Sequence, residues 1–507
     1  MDAKLDKISE LSNILCEKES LGKKIVGVGH EFSLGKLMRQ AHISKEQGVP
    51  CSILLLYLLL IRLLDVSLFC FYKAKWFGLL STEIGKNCFY RFLSNPSYDW
   101  RSLLLGVAKQ FLRIVEKRGG TCDDTPSFYI VDDTTLEKTG SHFEGLSRVF
   151  DHTDGRHKPG FKLLTLSFFD GKSCIPLDCS LHAEKGRRGD YSLSARERKG
   201  LFRKKRDADT PGYKRKKELD EEKPHVVIRM IRRAWKRCIR ASYFLADSWF
   251  DGIGFIKDVR GIADGAVHVI CMTKNGNRKY EDGKHRHTGK ELVALNERTA
   301  PTCRKYKCRY FRKDVVFEGM ELRLFFVQYG KNRTWNILLT TDKSLSFVKV
   351  FEYYQIRWNQ EVMYREGKQY LGLGKCQSTD FDAQIADCTL SLATYTILTL
   401  YRRFGQYETM GELFRQMQTD LMALTLWQRI LPLMAQILYR LCHLLGADFE
   451  QTMHNYRQGV KRLWRFCSSS TRHKKWMGKN RQTSGFNIYF ASRGTSLSID
   501  VTRIRSS

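Results

Sequence analysis

Apolar positions in the first 115 or so residues recur at helical spacing. Leu54, Leu58, Ile61 and Leu64 form one stripe, and Leu104, Val107, Phe111 and Val115 form another within Trp100 to Lys117. The pattern changes after Pro126. Residues 127–133, SFYIVDD, are a short apolar run halted by acids, which predicts a buried strand. Lys162 to Phe169 and Cys174 to Leu181 flank Asp170-Gly171-Lys172 and predict a hairpin. Ser242 to Asp247, SYFLAD, predicts a second buried strand ending on an acid. Between about 262 and 350 strand-like runs follow one another, among them Ala266 to Met272, Leu322 to Tyr329 and Asn336 to Thr341. Helical spacing returns at Ser346, and the chain reads as mostly helical to Trp464 before a basic, Ser-rich end.

A length of 507 residues predicts two to four domains. The charge adds the first functional clue. Lys+Arg 86 against Asp+Glu 54 gives a formal net charge of +32. Such a field favours a polyanionic partner through counterion release, although a ribosome-associated or merely basic protein would share it. Fifteen Cys, an odd number with no small-domain framework, suit a reducing compartment. The start, MDAKLDKISE, lacks a basic segment followed by an apolar core, and the run Ser52 to Ile61 is broken by Arg62 and Asp65. A soluble, cytoplasmic protein with no membrane span is expected. No glycine-rich phosphate loop precedes a helix, so no nucleotide cofactor is expected.

The sharpest chemical signal lies between Tyr354 and Lys368. Tyr354, Arg357, Glu361 and Lys368 follow at steps of +3, +4 and +7. On one helix they fall within about 60° of one another. One face then carries a phenol, a guanidinium, a carboxylate and an ammonium, while Tyr353, Ile356, Val362 and Met363 suggest that the helix packs against something. This Y-x2-R-x3-E-x6-K spacing resembles the YREK signature of bacterial insertion-sequence transposases of family four, which are cut-and-paste DDE enzymes. The family's first Asp, often followed by Thr, is matched by Val131-Asp132-Asp133-Thr134-Thr135, and its second by Leu245-Ala246-Asp247-Ser248. The resemblance runs in order from about residue 125 to about 400.

That resemblance implies an α/β RNase H-like catalytic core with a β-rich insertion, flanked by helical N- and C-terminal regions. Residues 1–115 would be a helical DNA-binding region that recognises element ends. Residues 116–400 would be the catalytic domain, with the insertion at about 262–350, and residues 401–507 a helical region with a basic tail. It also implies that Asp133, Asp247 and Glu361 are catalytic and hold Mg2+, with Mn2+ as a substitute. Two such ions about 3.5–4 Å apart activate an oxygen nucleophile and stabilise a leaving oxygen, and hard carboxylate ligands suit them. Tyr354, Arg357 and Lys368 would contact DNA, the arginine through its planar fork. The substrates would be terminal inverted repeats and target DNA, bound by a homodimer assembled on the DNA at the nucleoid. Asp132 and Asp133 point to opposite faces of a strand, so only one can face the metals. The family's Asp-Thr pairing favours Asp133.

Weaker signals complete the reading. Lys185 to Arg206 carries ten basic and two acidic residues and is expected to be a loop tracking a phosphate backbone. Pro224 to Arg240 predicts an amphipathic helix, with Val227, Ile231, Trp235 and Cys238 inward and Arg229, Arg233, Lys236 and Arg240 along a basic stripe open to DNA or to solvent. Cys303 and Cys308, after His285 and His287, fit structural zinc poorly. Trp249 and Phe250 read first as core, with base stacking as the functional alternative. In the family an aromatic of the insertion receives a flipped base, and Trp335 matches it loosely. Two other readings stand beside the transposase. One is a nuclease or domesticated relative without strand transfer, and the other a basic nucleic-acid scaffold whose carboxylates are structural.

Overall fold

The structure is a computed structural model that describes residues 27–73, 84–122, 125–152, 154–184, 195–329 and 334–419, with a few more between 421 and 452. The chain divides into a unit of Ile25–Gln416 and a unit of Met1–Lys24 with Met417–Ser507. Little of the second unit is described, so most of the predicted C-terminal region and its basic tail lie outside the described residues. No helix among the described residues is long and apolar enough to cross a membrane.

Among the described residues, helices of the first unit ahead of the strands include α1 (Leu34–Gln40), α2 (Cys51–Leu63), α3 (Leu68–Lys73), α4 (Lys86–Leu93) and α5 (Trp100–Lys117). The predicted stripes face inward, with Leu54, Leu58, Leu104, Val107 and Phe111 all buried. Asp99 caps α5 by accepting from the Ser102 N–H. These helices belong to the same compact unit as the strands that follow.

The strands are β1 (Phe128–Glu137), β2 (Ser147–Asp151), β3 (Arg156–Phe169) and β4 (Cys174–His182). Helices α6 (Pro211–Glu218) and α7 (Lys223–Lys236) precede β5 (Tyr243–Ala246), and α8 (Ile253–Arg260) precedes β6 (His268–Thr273). Both long strands run beyond the sequence reading. The expected hairpin forms with Phe169 opposite Cys174, and the Asp170 side chain accepts from the N–H groups of Lys172 and Ser173. Gly171, at φ 94, takes a turn conformation that a Cβ would strain.

β4 pairs β3, and the sheet continues from β3 through β1 and β5 to β6. β1 is antiparallel to β3 and parallel to β5, which is parallel to β6. This mixed sheet with its helices is consistent with an RNase H-like DDE domain. The sheet does not end at β6. Further strands are β7 (Lys279–Asp282), β8 (His285–Thr288), β9 (Thr302–Cys303), β10 (Cys308–Phe317), β11 (Met320–Gln328) and β12 (Trp335–Thr340). β12 lies antiparallel to β6, with Ile337 opposite Thr273 and Thr340 opposite Ile270.

Three helices follow: α9 (Phe347–Ile356), α10 (Trp358–Tyr370) and α11 (Phe381–Phe404). One apolar cluster joins Phe128 and Ile130 of β1, Leu245 of β5 and Ile270 of β6 to Phe325, Leu338, Phe347 and Val350. The core is thus shared between the central strands, the strand-rich stretch and α9.

Candidate active site

The single helix expected to carry Tyr354 to Lys368 is broken at Arg357. The Arg357 N–H donates to the Tyr354 carbonyl, and the Gln360 N–H donates to the Arg357 carbonyl, so the backbone tightens to i,i+3 bonding there. Tyr354 therefore sits in α9, Arg357 at the junction, and Glu361 and Lys368 in α10.

Register fixes which first acid joins them. Ile130 of β1 lies opposite Leu245 of the parallel strand β5, so two residues further on Asp132 comes level with Asp247. Residues level in this way point to one face of a sheet. α10 covers that face. Its Tyr364 hydroxyl donates to the carbonyl oxygen of Asp132 at 2.7 Å, and the Gln360 amide donates to that of Thr165 at 3.3 Å. Arg357 spans the acids, with Nη1 2.8 Å from Asp132 Oδ2 and Nη2 2.7 Å from Glu361 Oε1. The structure thus brings Asp132, Asp247, Arg357, Tyr354 and Glu361 together.

Asp133, favoured over Asp132 in the sequence, is placed elsewhere. It points to the opposite face, where Lys223 at the start of α7 donates to its Oδ2 at 2.6 Å and Lys162 lies 3.6 Å from Oδ1. The identity of the following residue, Thr134, says nothing about which face the next helix will cover.

The charge environments differ accordingly. Burial pushes the Asp132 carboxyl up, Arg357 draws it back and Asp247 pushes it up again, leaving it at about 7. At Asp133 burial also opposes ionisation, but Lys223 and Lys162 outweigh it and hold the acid below its ordinary value. Burial and the Asp133 charge raise Asp247. Burial pushes the Tyr354 phenol up to about 12. Its ring lies 5.7 Å from the Arg357 guanidinium.

Two DDE family models match this chain. Residues 79–291 match the DDE superfamily endonuclease family, and residues 215–397 match the transposase DDE domain. No curated protein matches. Together the matches support a DDE transposase with the nuclease or transposase activity and the DNA substrate that such domains imply. DDE domains generally use divalent metals such as Mg2+. The donors present suit such an ion, because Asp132, Asp247 and Glu361 offer hard oxygens and the first two are half-buried. With Arg357 clasping two of them, no group of three His, Cys, Asp or Glu side chains among the described residues converges as a ready-made metal site. Nor do Cys303 and Cys308 join His285 and His287 in one among the described residues.

The other sequence-derived candidates of the DDE domain divide. Lys368 donates to Thr134 Oγ1 at 2.7 Å and to the Thr135 carbonyl at 2.9 Å, so it ties α10 to β1. Trp249 is not core: it is 61% exposed beyond Asp247, which accepts from its N–H, whereas Phe250 is buried. Trp335 is partly buried against Phe311.

The basic segments are only partly open. Residues 185–194 lie outside the described residues. At the end of that segment Arg206 is buried and paired with Glu144 and Asp382, and Lys204 lies 2.9 Å from Asp382. These two are structural rather than available to DNA. On α7, Val227 and Ile231 are buried as expected, but the helix ends at Lys236 and Cys238 beyond it is exposed. Arg233 and Arg229 pair with Asp178 and Glu221, leaving Lys236 and Arg240 exposed.

Sequence reasoning missed Lys223, which neutralises Asp133 and sets its ammonium 5.5 Å from the Trp249 ring centre. Its only sequence signal is its place at the start of a helix after an acidic run.

Proposed function

We propose that this chain is an insertion-sequence transposase that cleaves DNA at the element's ends and joins the freed 3′-hydroxyl to target DNA, working as a homodimer on the DNA. The observation that carries this reading is that Arg357 reaches both Asp132 and Glu361 on the face of β1 that α10 covers, with Asp247 level with Asp132. Asp132, Asp247 and Glu361 would hold Mg2+. When bound, the metal supplies activation of an oxygen nucleophile and stabilisation of the leaving oxygen. Strand β1, the end of β5 and the packed helix hold the backbones that carry these carboxylates in place. Tyr354 and Arg357 stand beside them, where a phenol and a planar guanidinium fork orient a phosphate. Lys368 serves by fixing α10 on β1. The strand-rich stretch from β7 to β12 is the insertion of the RNase H-like core, and the exposed basic side chains of α7 approach the DNA backbone.

The test is cleavage of the DNA flanking this gene, with wild type beside Glu361→Ala. Mg2+-dependent cutting at the element ends by wild type alone is expected. Binding of those ends by both proteins with cutting by neither, in Mg2+ or Mn2+, would leave a scaffold as the better reading.

A further inference from the structure

Arg357 makes two contacts that exclude much else. Its two terminal nitrogens are committed to one oxygen each of Asp132 and Glu361, at 2.8 and 2.7 Å. The Arg357 side chain is only 16% exposed, so solvent screens these charges poorly. It originates at the one-residue junction between α9 and α10. The remaining oxygen of Asp132, Oδ1, accepts the N–H of Asp133 at 2.8 Å. Asp132 therefore has no oxygen free of a donor while Arg357 stays where it is.

We infer that Arg357 is an exchangeable counter-ion that holds Asp132 and Glu361 in the metal-free protein and must release them before a divalent cation can use both. This rests on the reading of those two acids as metal ligands. A guanidinium freed from carboxylates needs another anion, and the one brought by the substrate is a phosphate, which its fork fits equally well. Metal loading and phosphate capture are then one exchange. The cation takes the acids as the arginine takes the phosphate, and each event favours the other by the same factor. The arrangement limits metal occupancy in protein that has no DNA to work on.

The experiment is Mn2+ binding by the full chain without DNA at pH 8, followed by the paramagnetic resonance of the free ion. Wild type is compared with R357Q, R357K and the double variant R357Q/D132N. R357Q is expected to bind Mn2+ about tenfold tighter than wild type, because the competing cation is gone. R357K, whose single ammonium cannot span both acids, is expected between the two. It also keeps the question open to measurement if R357Q fails to fold. The tighter site must vanish in R357Q/D132N. Equal or weaker binding by R357Q and R357K than by wild type overturns the exchange. No Mn2+ binding by wild type or by any variant overturns instead the assignment of Asp132 and Glu361 as ligands.

Discussion

Asp132→Asn is expected to abolish metal-dependent DNA cleavage, and Asp133→Asn to leave most of it. The two acids are neighbours in sequence, yet β1 sends them to opposite faces. Asp132 lies level with Asp247 and is held by Arg357, and Asp133 is engaged by Lys223 and Lys162. Losing a metal ligand removes several kcal/mol of transition-state stabilisation, so the loss should be on the order of 10³-fold or more. Asp133→Asn should slow cleavage by less than about tenfold, with its main effect on stability. It leaves two largely buried lysines short of a counter-charge, at a cost on the order of 2 kcal/mol after allowing for partial exposure. Single-turnover cleavage and thermal unfolding of both variants separate the two roles. An active Asp132→Asn beside an inactive Asp133→Asn would return the first-ligand role to Asp133.

The largest expected loss of stability lies away from the reaction, at Asp178 in the middle of β4. Arg101 of α5 donates to its Oδ1 at 2.8 Å and Arg233 of α7 lies 2.7 Å from its Oδ2. Arg101 also reaches Glu218 of α6 at 2.7 Å. Burial opposes ionisation at both acids, but the arginines outweigh it and hold each at about 2. Asp178→Ala would leave Arg233 without its carboxylate and Arg101 with Glu218 alone, and breaking such a network costs about 3–5 kcal/mol. Chemical denaturation of the variant at neutral pH is the measurement, and a loss under about 1 kcal/mol would mean that the arginines find other partners. The same acids predict a pH effect with a definite sign. Their folded-state values lie below the unfolded ones, roughly 4, so the stabilisation is complete above that pH and is lost as pH falls towards about 2. In Asp178→Ala this acid-induced loss should be smaller.

Much of this was legible in the chain. An apolar run that stops on acids has few explanations, so β1 and β5 could be found from SFYIVDD and SYFLAD, and the hairpin from its turn residues. The spacing of Tyr354, Arg357 and Glu361 did bring them to one place, even across the helix break. What could not be read was partnership over long separations. The choice between Asp132 and Asp133 depends on which face α10 covers, and no local pattern encodes that. Lys368 looks like a free cation in sequence but is spent on Thr134 and Thr135. Lys204 and Arg206 look like part of a DNA-tracking run until Glu144 and Asp382 arrive from distant segments. Asp178 gave no sign at all, because a lone acid in the strand CIPLDCSLH hides the two helices that supply its arginines.

The continuity of the sheet across β6 and β12 has a mechanical meaning. A module joined to a domain by two loops can swing, whereas here the join is a backbone ladder with Phe325 and Leu338 set into the same apolar cluster as Ile130 and Leu245. Close-packed interiors resist deformation and transmit strain. Among the described residues the outer strands are therefore joined stiffly at their root. A duplex gripped by those strands would be held at a fixed offset from the strand that ends at Asp247, so a bend imposed on the DNA would be borne by the DNA rather than absorbed by the protein.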